Sequence, residues 1–263
     1  SSGKYNLSTI PGSDFPDFDV IKSDTTHKIT PNKLYELFLK TSFAMANQDW
    51  RHYLNGCLFE KTGSSINMVA TDAHRLAIYK SNLEGEGDFT GIVPRKTVIE
   101  LMKILPKQED EIEFYINSNN IVFMSKKFTF KSKLIDGNYP NYNQVVPQGE
   151  GSKITFNRKN MLDSLSRVSV LTSEKFKGVK LKTESGVLDI SAHNPDQESA
   201  EEKLDVTSAG NEFDIAFNVN YLKEVLGTID EEEISLISFG SDKSALVESG
   251  DSNQVLVLMP LLL

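Results

Sequence analysis

The chain repeats itself. Lys28-Ile29-Thr30 recurs as Lys153-Ile154-Thr155, and Asp14-Phe15-Pro16-Asp17-Phe18 recurs as Asn138-Tyr139-Pro140-Asn141-Tyr142. Gly56-Cys57-Leu58 parallels Gly178-Val179-Lys180, and Glu111-Ile112-Glu113 parallels Glu233-Ile234-Ser235. The offsets are 125, 124, 122 and 122 residues, and the copies keep their order along the chain. A period of this length far exceeds a solenoid unit and indicates duplicated domains. The expected division is 1–22 as the tail of one repeat and a linker, 23–144 as a second repeat and 145–263 as a third. The last two are each long enough to enclose a core of their own. Lys4 to Ile10 reads as part of a strand and position 1 is not Met, so the sequence is expected to be a piece of something longer.

Each full repeat carries two helical patterns. Pro31 to Phe43 places Leu34, Leu37 and Phe38 on one face, and Pro94 to Leu105 does the same with Val98, Leu101, Met102 and Leu105. Proline suits a first helical turn, and both segments open with one. Asn157 to Leu171 aligns Met161, Leu165 and Val168; Asn218 to Gly227 aligns Leu222, Val225 and Leu226, with Gly227 expected as the C-cap. The remainder reads as short strands, such as 112–116 and 128–132. The fold class is α+β, with more strand than helix.

Charge is sorted by element. The chain has a net charge of −9, which argues against a general DNA binder. Yet the four helical segments hold nine basic residues, Lys33, Lys40, Arg95, Lys96, Lys103, Arg158, Lys159, Arg167 and Lys223, against only Glu36, Glu100, Asp163 and Glu224. They carry +5, so the rest carries −14. Basic helices on an acidic body suggest one surface that faces a polyanion and another that repels it. Equally, short helices often carry Lys and Arg on a solvated face. The single cysteine, Cys57, cannot form an internal disulfide, which fits a reducing cytoplasm, and its apolar neighbours mark it as a buried small hydrophobe. No apolar run reaches the roughly 18 residues of a membrane helix, and Ser1 to Ile10 lacks the pattern of a signal peptide. No membrane role and no cofactor are expected.

The most distinctive segment is Ala70-Thr71-Asp72-Ala73-His74-Arg75-Leu76-Ala77. Asp72 and His74 allow a catalytic pair or metal ligands, but no HExxH, clustered cysteines, GxSxG or P-loop accompanies them. The alternative is a structural turn with a buried Asp–Arg pair. A hydrolase and a tandem-domain interaction protein without a DNA role stay open as rival readings from the residues alone.

This segment also carries a resemblance. It resembles the ATDGHRL signature of bacterial DNA sliding clamps, the beta subunits of DNA polymerase III, with Ala73 where Gly is usual. Gln48 to Gly56 resembles their QDVRYYLNG stretch, Val93 to Lys96 resembles VPRK, and Ser132 to Tyr142 resembles SKLVDGRFPDY. Ser173 to Val179 resembles SNEKFRGV, and Met259-Pro260 is similar to the MPMRL terminus. The resemblance implies tandem clamp domains, each with two helices packed on two antiparallel sheets. It implies a homodimeric ring in the full-length protein, which encircles double-stranded DNA without reading sequence and catalyses nothing. The DNA-facing residues would be Gln48, Arg51, His52, Tyr53, Arg95, Lys96, Arg158 and Lys159. A peptide pocket for the DNA polymerase III catalytic subunit, the clamp loader, and other polymerases and repair proteins would comprise Leu54, Thr71, His74, Arg75, Leu76, Pro140, Val145, Ser244, Val257, Met259 and Pro260. Apolar walls would provide burial there, while Thr71, His74 and Arg75 fix orientation. Gln144, Leu261 and Leu262 depart from the family's Arg, Met and Arg, so the rim should be less basic and more apolar. In the run 255–263, strand alternation sends Val257 and Met259 to one face and Leu256 and Leu258 to the core. Pro260 then ends the strand and leaves Leu261 to Leu263 near the pocket mouth.

Overall fold

A computed structural model describes residues 2–14, 25–172, 177–209 and 211–261. Its first half runs β1 (His27–Ile29), α1 (Pro31–Leu39), β2 (Gly56–Thr62), β3 (Ser65–Thr71), β4 (Arg75–Asn82), β5 (Phe89–Pro94), α2 (Arg95–Ile104), β6 (Ile112–Ile116), β7 (Asn120–Met124) and β8 (Thr129–Lys133). The second half runs β9 (Ser152–Asn157), α3 (Arg158–Val168), β10 (Gly178–Glu184), β11 (Val187–His193), β12 (Ser199–Asp205), β13 (Thr207–Ala209), β14 (Asp214–Asn218), α4 (Val219–Gly227), β15 (Glu233–Ser238), β16 (Ala245–Glu248) and β17 (Gln254–Leu258).

Strand pairing repeats as the sequence does. The order β5-β2-β3-β4 is matched by β14-β10-β11-β12, and β1-β6-β7-β8 by β9-β15-β16-β17. The matched motifs fall at equivalent places: Gly56 and Gly178 open β2 and β10, and Lys28-Ile29 and Lys153-Ile154 lie in β1 and β9. Gly56 must be glycine, since a Cβ there would stand 2.3 Å from the Val93 carbonyl oxygen. Residues 15–18, half of the matched aromatic-proline turn, and 173–176, the start of the SNEKFRGV-like stretch, lie outside the described residues. The halves join where β17 pairs antiparallel with β4, from Gln254 opposite Tyr79 to Leu258 opposite Arg75. This pairing makes one nine-stranded sheet.

Helix ends differ from the sequence reading in instructive ways. Pro31 does begin α1, behind an N-cap Thr30 whose side chain accepts from the Lys33 N–H. Pro94 instead ends β5 and occupies the N-cap position of α2. Asn157 and Asn218 are caps rather than helical residues, accepting from the Asn160 and Asn220 N–H groups. Gly227 is the last residue of α4, and the chain leaves through Thr228 in a right-handed conformation, so no left-handed glycine cap is used. The expected strand 128–132 is shifted by one, to Thr129–Lys133.

Every strand of the joined sheet near the junction alternates, and its two faces meet different things. Cys57, Phe59, Met68, Ala70, Ala77, Tyr79, Val93, Leu256 and Leu258 join the main core with the buried helix residues Leu34, Leu37, Phe38, Val98 and Leu101. Their sequence neighbours Leu58, Val69, Leu76, Ile78, Ile92 and Val257 form a second cluster. Since successive strand side chains point to opposite faces, this second cluster lies on the face turned away from the helices. The register stacks it into a stripe, with Leu58 opposite Val69 and Ile92, Val69 opposite Ile78, and Leu76 opposite Val257.

Candidate functional site

The apolar stripe is the first part of the site. At one end Ile135, Tyr139, Tyr142 and Val146 pack over it. Tyr139 Oη donates to the Val69 carbonyl, and Tyr142 Oη bonds the Glu60 carboxylate. Burial first, and then that carboxylate, push the Tyr142 hydroxyl up to about 12. Leu58, Ile92, Ile135, Tyr139, Pro140 and Tyr142 line a cleft of about 400 Å³. Around the stripe the cover is incomplete: Leu246 and Val255 are half-buried, Val145 is 41% exposed and Met259 is 39% exposed.

The eleven sequence-derived pocket residues divide accordingly. Leu76 and Val257 are the buried floor of the stripe. Met259 continues the β4–β17 register by donating its N–H to the His74 carbonyl at 2.8 Å, and Ser244 Oγ donates to its sulfur. Val257 and Leu256 do face opposite ways, as alternation requires. Val145 and Pro140 are exposed and Pro260 is half-buried. Leu54 is fully buried, with its carbonyl taken by the Ala46 N–H. Gln144 is exposed, at the C-terminal end of a short helical turn over 142–144. Leu261 corrects the expectation of a leucine at the pocket mouth. Its N–H donates to the Ala216 carbonyl of β14 at 2.7 Å, and it lines a cleft with Gly151, Phe213 and Phe239 instead. Leu262 and Leu263 lie outside the described residues.

The polar members are tied up internally. Thr71 Oγ1 donates to the Arg75 carbonyl at 2.6 Å and accepts from the Ala73 N–H. Asp72 Oδ1 accepts the N–H groups of His74 and Arg75, and its Oδ2 accepts from Arg75 Nε. This is the structural turn with an Asp–Arg pair, in which both carboxylate oxygens of Asp72 accept hydrogen bonds. Ala73 bends the turn with a φ of 73°, the left-handed region that glycine enters freely. Arg75 is only 7% exposed. Its guanidinium also donates to the Phe43 carbonyl at 2.6 Å and to the Glu224 carboxylate of α4, between the rings of Tyr221 (4.5 Å) and Phe43 (5.3 Å). Its place is therefore the joint between the halves. Phe43, Tyr221 and Glu224 were missed by sequence reasoning, since nothing in a single sequence pairs residue 75 with residue 224. His74 alone stays exposed, stacked on Tyr221 at 5.8 Å.

The helix charges form the second part. Three of the nine basic residues are neutralised by acids: Lys40 by Asp230, Lys103 by Glu100 and Arg167 by Glu202. Lys40 is buried against the other half and faces no open surface, which corrects the plain count. Of the DNA-facing set, Lys96 and Lys159 are exposed, and Arg95 and Arg158 are half-buried. Arg95 spends one donor on the Met45 carbonyl. Gln48 and His52 are exposed and Tyr53 is half-buried. Arg51 is held bidentate by Asp49, at 3.0 and 2.9 Å, and this pairing pulls the Asp49 carboxyl down to about 2. Cys57 is inert, its thiol pushed up to about 12 by complete burial.

Comparison with known proteins agrees with the pairing repeat. Residues 28–141 match the family model described as DNA polymerase III beta subunit, central domain, and residues 143–262 match DNA polymerase III beta subunit, C-terminal domain. The chain is 39% identical over 261 residues to the beta sliding clamp of Pseudomonas aeruginosa, covering 98% of this chain and 71% of that one. It is 39% identical over 262 residues to the beta sliding clamp of Vibrio cholerae, with the same coverage. The crystal structure of the DNA polymerase III subunit beta from Pseudomonas aeruginosa superposes with a TM-score of 0.93 over 97% of this chain and 71% of that one. The chain belongs to the beta sliding clamp family, the beta subunits of DNA polymerase III, and matches its central and C-terminal domains.

Proposed function

We propose that this chain is the DNA-encircling, partner-tethering part of a replication processivity factor, working in the cytoplasm without catalysis of its own. Residues 1–22 end a preceding clamp domain, 23–144 form the second and 145–263 the third. In the full-length homodimer the helices face duplex DNA, and Lys96 and Lys159 supply the least encumbered charges. Contacts to phosphates carry no base information, so the ring slides. On the opposite face, the surface over the apolar stripe receives a short Leu- and Phe-rich peptide of the DNA polymerase III catalytic subunit, the clamp loader, or another polymerase or repair protein. Val257 and Leu76 form its floor, and Met259, Val145 and Ser244 its rim.

The observation that carries this reading is the division of one sheet into two faces, one backed by helices with exposed lysines and the other a buried apolar stripe, with Met259 exposed on the strand that carries Val257. Exposed apolar side chains such as Met259 and Val145 are surface that a partner can cover. The test loads the intact protein onto nicked circular DNA and measures retention against salt. Lys96→Ala and Lys159→Ala should each lower the log–log salt slope by roughly 0.9 for every phosphate left without its cation, equally for all sequences. An unchanged slope in the double variant would remove the helices from the DNA face.

A further inference from the structure

Met259 is the methionine that the fold leaves most open. Of the six in the chain, Met45, Met68 and Met161 are at most 3% exposed, Met102 and Met124 are half-buried, and Met259 is 39% exposed. Its backbone is fixed, since its N–H donates to the His74 carbonyl at 2.8 Å and continues the β4–β17 ladder. Its sulfur is held as well, accepting from Ser244 Oγ at 2.8 Å. Strand alternation puts the side chain on the face of Val257, the buried floor of the stripe. A thioether is therefore held in one place, reachable from solvent, beside the apolar surface. No thiol competes with it for an oxidant: Cys57, the only cysteine, is completely buried, and burial pushes its thiol up to about 12.

We propose that Met259 is a modification site for peroxides, and that its sulfoxide closes the peptide pocket. This rests on the peptide-pocket reading and adds to it a reversible covalent control. In the step, a sulfur lone pair attacks one oxygen of hydrogen peroxide. The S–O bond forms as the O–O bond breaks, and the hydroxide that leaves takes the proton of the transferred oxygen and becomes water. Sulfur gives up two electrons and the peroxide gains them. Ser244 engages one of the two sulfur lone pairs, so oxygen enters at the other and one sulfoxide epimer predominates. The product is polar where the thioether was apolar. It must shed its hydration when an apolar peptide covers it, and Leu and Phe side chains offer no donor in exchange. The ladder bond at this residue is made by the backbone N–H, not by sulfur, so the oxidised chain keeps its fold.

The test treats the intact protein with hydrogen peroxide under native conditions. Peptide mapping by mass spectrometry locates the added oxygen, and a fluorescent Leu-Phe peptide is titrated before and after. Met259 should be oxidised first, Met102 and Met124 later, and Met45, Met68 and Met161 only when the chain unfolds. Peptide affinity should fall about 5- to 150-fold with the melting temperature unchanged. Of the two epimer-specific methionine sulfoxide reductases, each supplied with dithiothreitol, one should restore most of the affinity and the other little. Met259→Leu has no sulfur there, so its own affinity should be the same before and after peroxide. The inference is overturned if Met102 or Met124 is oxidised as fast as Met259, or if Met259→Leu loses affinity in peroxide as the parent does. Equal restoration by the two reductases would overturn the direction assigned to Ser244. A peptide that fails to bind even the untreated protein sinks the pocket reading and the switch together. Binding that survives complete oxidation of Met259 sinks the switch and leaves the pocket standing.

Discussion

Replacing Arg75 by Ala separates two roles that the same side chain is given by resemblance and by geometry. The geometry predicts a loss of stability. The guanidinium is 7% exposed and its removal strips a donor from the Phe43 carbonyl and from Asp72. A buried acceptor left without its partner costs about 1–3 kcal/mol. Asp72 keeps two backbone N–H donors on Oδ1, so its share falls at the low end. Stacking on Tyr221 and Phe43 adds about 0.5–1 kcal/mol for each ring. Glu224 is half exposed, and its ion pair adds less than about 1 kcal/mol. Together these give a loss of about 3–7 kcal/mol, the lower part of which is the roughly 3–5 kcal/mol found when a buried pair is broken from one side. Arg75→Lys should recover only part of it, since an ammonium cannot reach Asp72, Glu224 and Phe43 at once. Urea unfolding followed by circular dichroism measures both, with Glu224→Gln closing a double-mutant cycle whose coupling should stay under about 1 kcal/mol. If Arg75→Ala unfolds at the parent midpoint yet loses peptide affinity, Arg75 is a peptide contact and the joint does not depend on it.

Three further outcomes follow from the same geometry. Ala73→Gly should stabilise the chain by about 0.5–1 kcal/mol, because relief of about 1–2 kcal/mol of left-handed strain outweighs the extra backbone freedom of the unfolded chain; a lower urea midpoint would refute this. Asp49 should titrate near 2 in an NMR carboxylate titration, and Arg51→Ala should return it toward about 3.9. Its folded-state value is depressed, so its stabilisation is complete above the ordinary carboxylate range and is lost as pH falls through that range toward 2; a normal midpoint in the parent chain would show the Arg51 pairing absent in solution. Met259→Ala should weaken a fluorescent Leu-Phe peptide roughly tenfold or more, on the scale of one buried Met side chain, without shifting the melting temperature; equal affinity would take Met259 off the rim.

Much of this is legible in the sequence. The repeat was visible because Gly56, which opens β2 against the Val93 carbonyl, has its counterpart in Gly178 at the start of β10. The helical faces were visible because Leu34, Leu37 and Phe38 obey one period. Chain ends of helices were less so: Pro94 satisfies the rules both for closing a strand and for opening a helix, and only the β2–β5 register decides. Pairings between distant residues had no local signal. Lys40 counts as a surface charge on α1 until Asp230 and the Thr228 carbonyl are found against it, and Leu261 reads as a pocket leucine until its N–H is found on Ala216. The substitution at residue 73 was readable as a departure from the family, but its cost was not, since a sequence does not state φ.

The β4–β17 ladder explains why the candidate pocket and the domain joint occupy one place. Pairing Leu76 with Val257 builds the floor of the stripe from both halves of the chain. The residues next to them in sequence, Arg75 and Leu258, point the other way, into the joint and the core. The turn of residues 71–75 therefore serves both sides: its backbone holds Met259 at the rim through the His74 carbonyl, and its guanidinium holds α4. A slip of one residue in this ladder would exchange the faces, sending Val257 into the core and Leu256 and Leu258 outward. The buried Arg75 fork opposes that slip, because its donors fit Asp72, Phe43 and Glu224 in a single register. Loosening the joint and spoiling the stripe are thus the same structural event, and a peptide seated on Val257 and Met259 should tighten the joint by the linkage that any ligand of the folded state exerts.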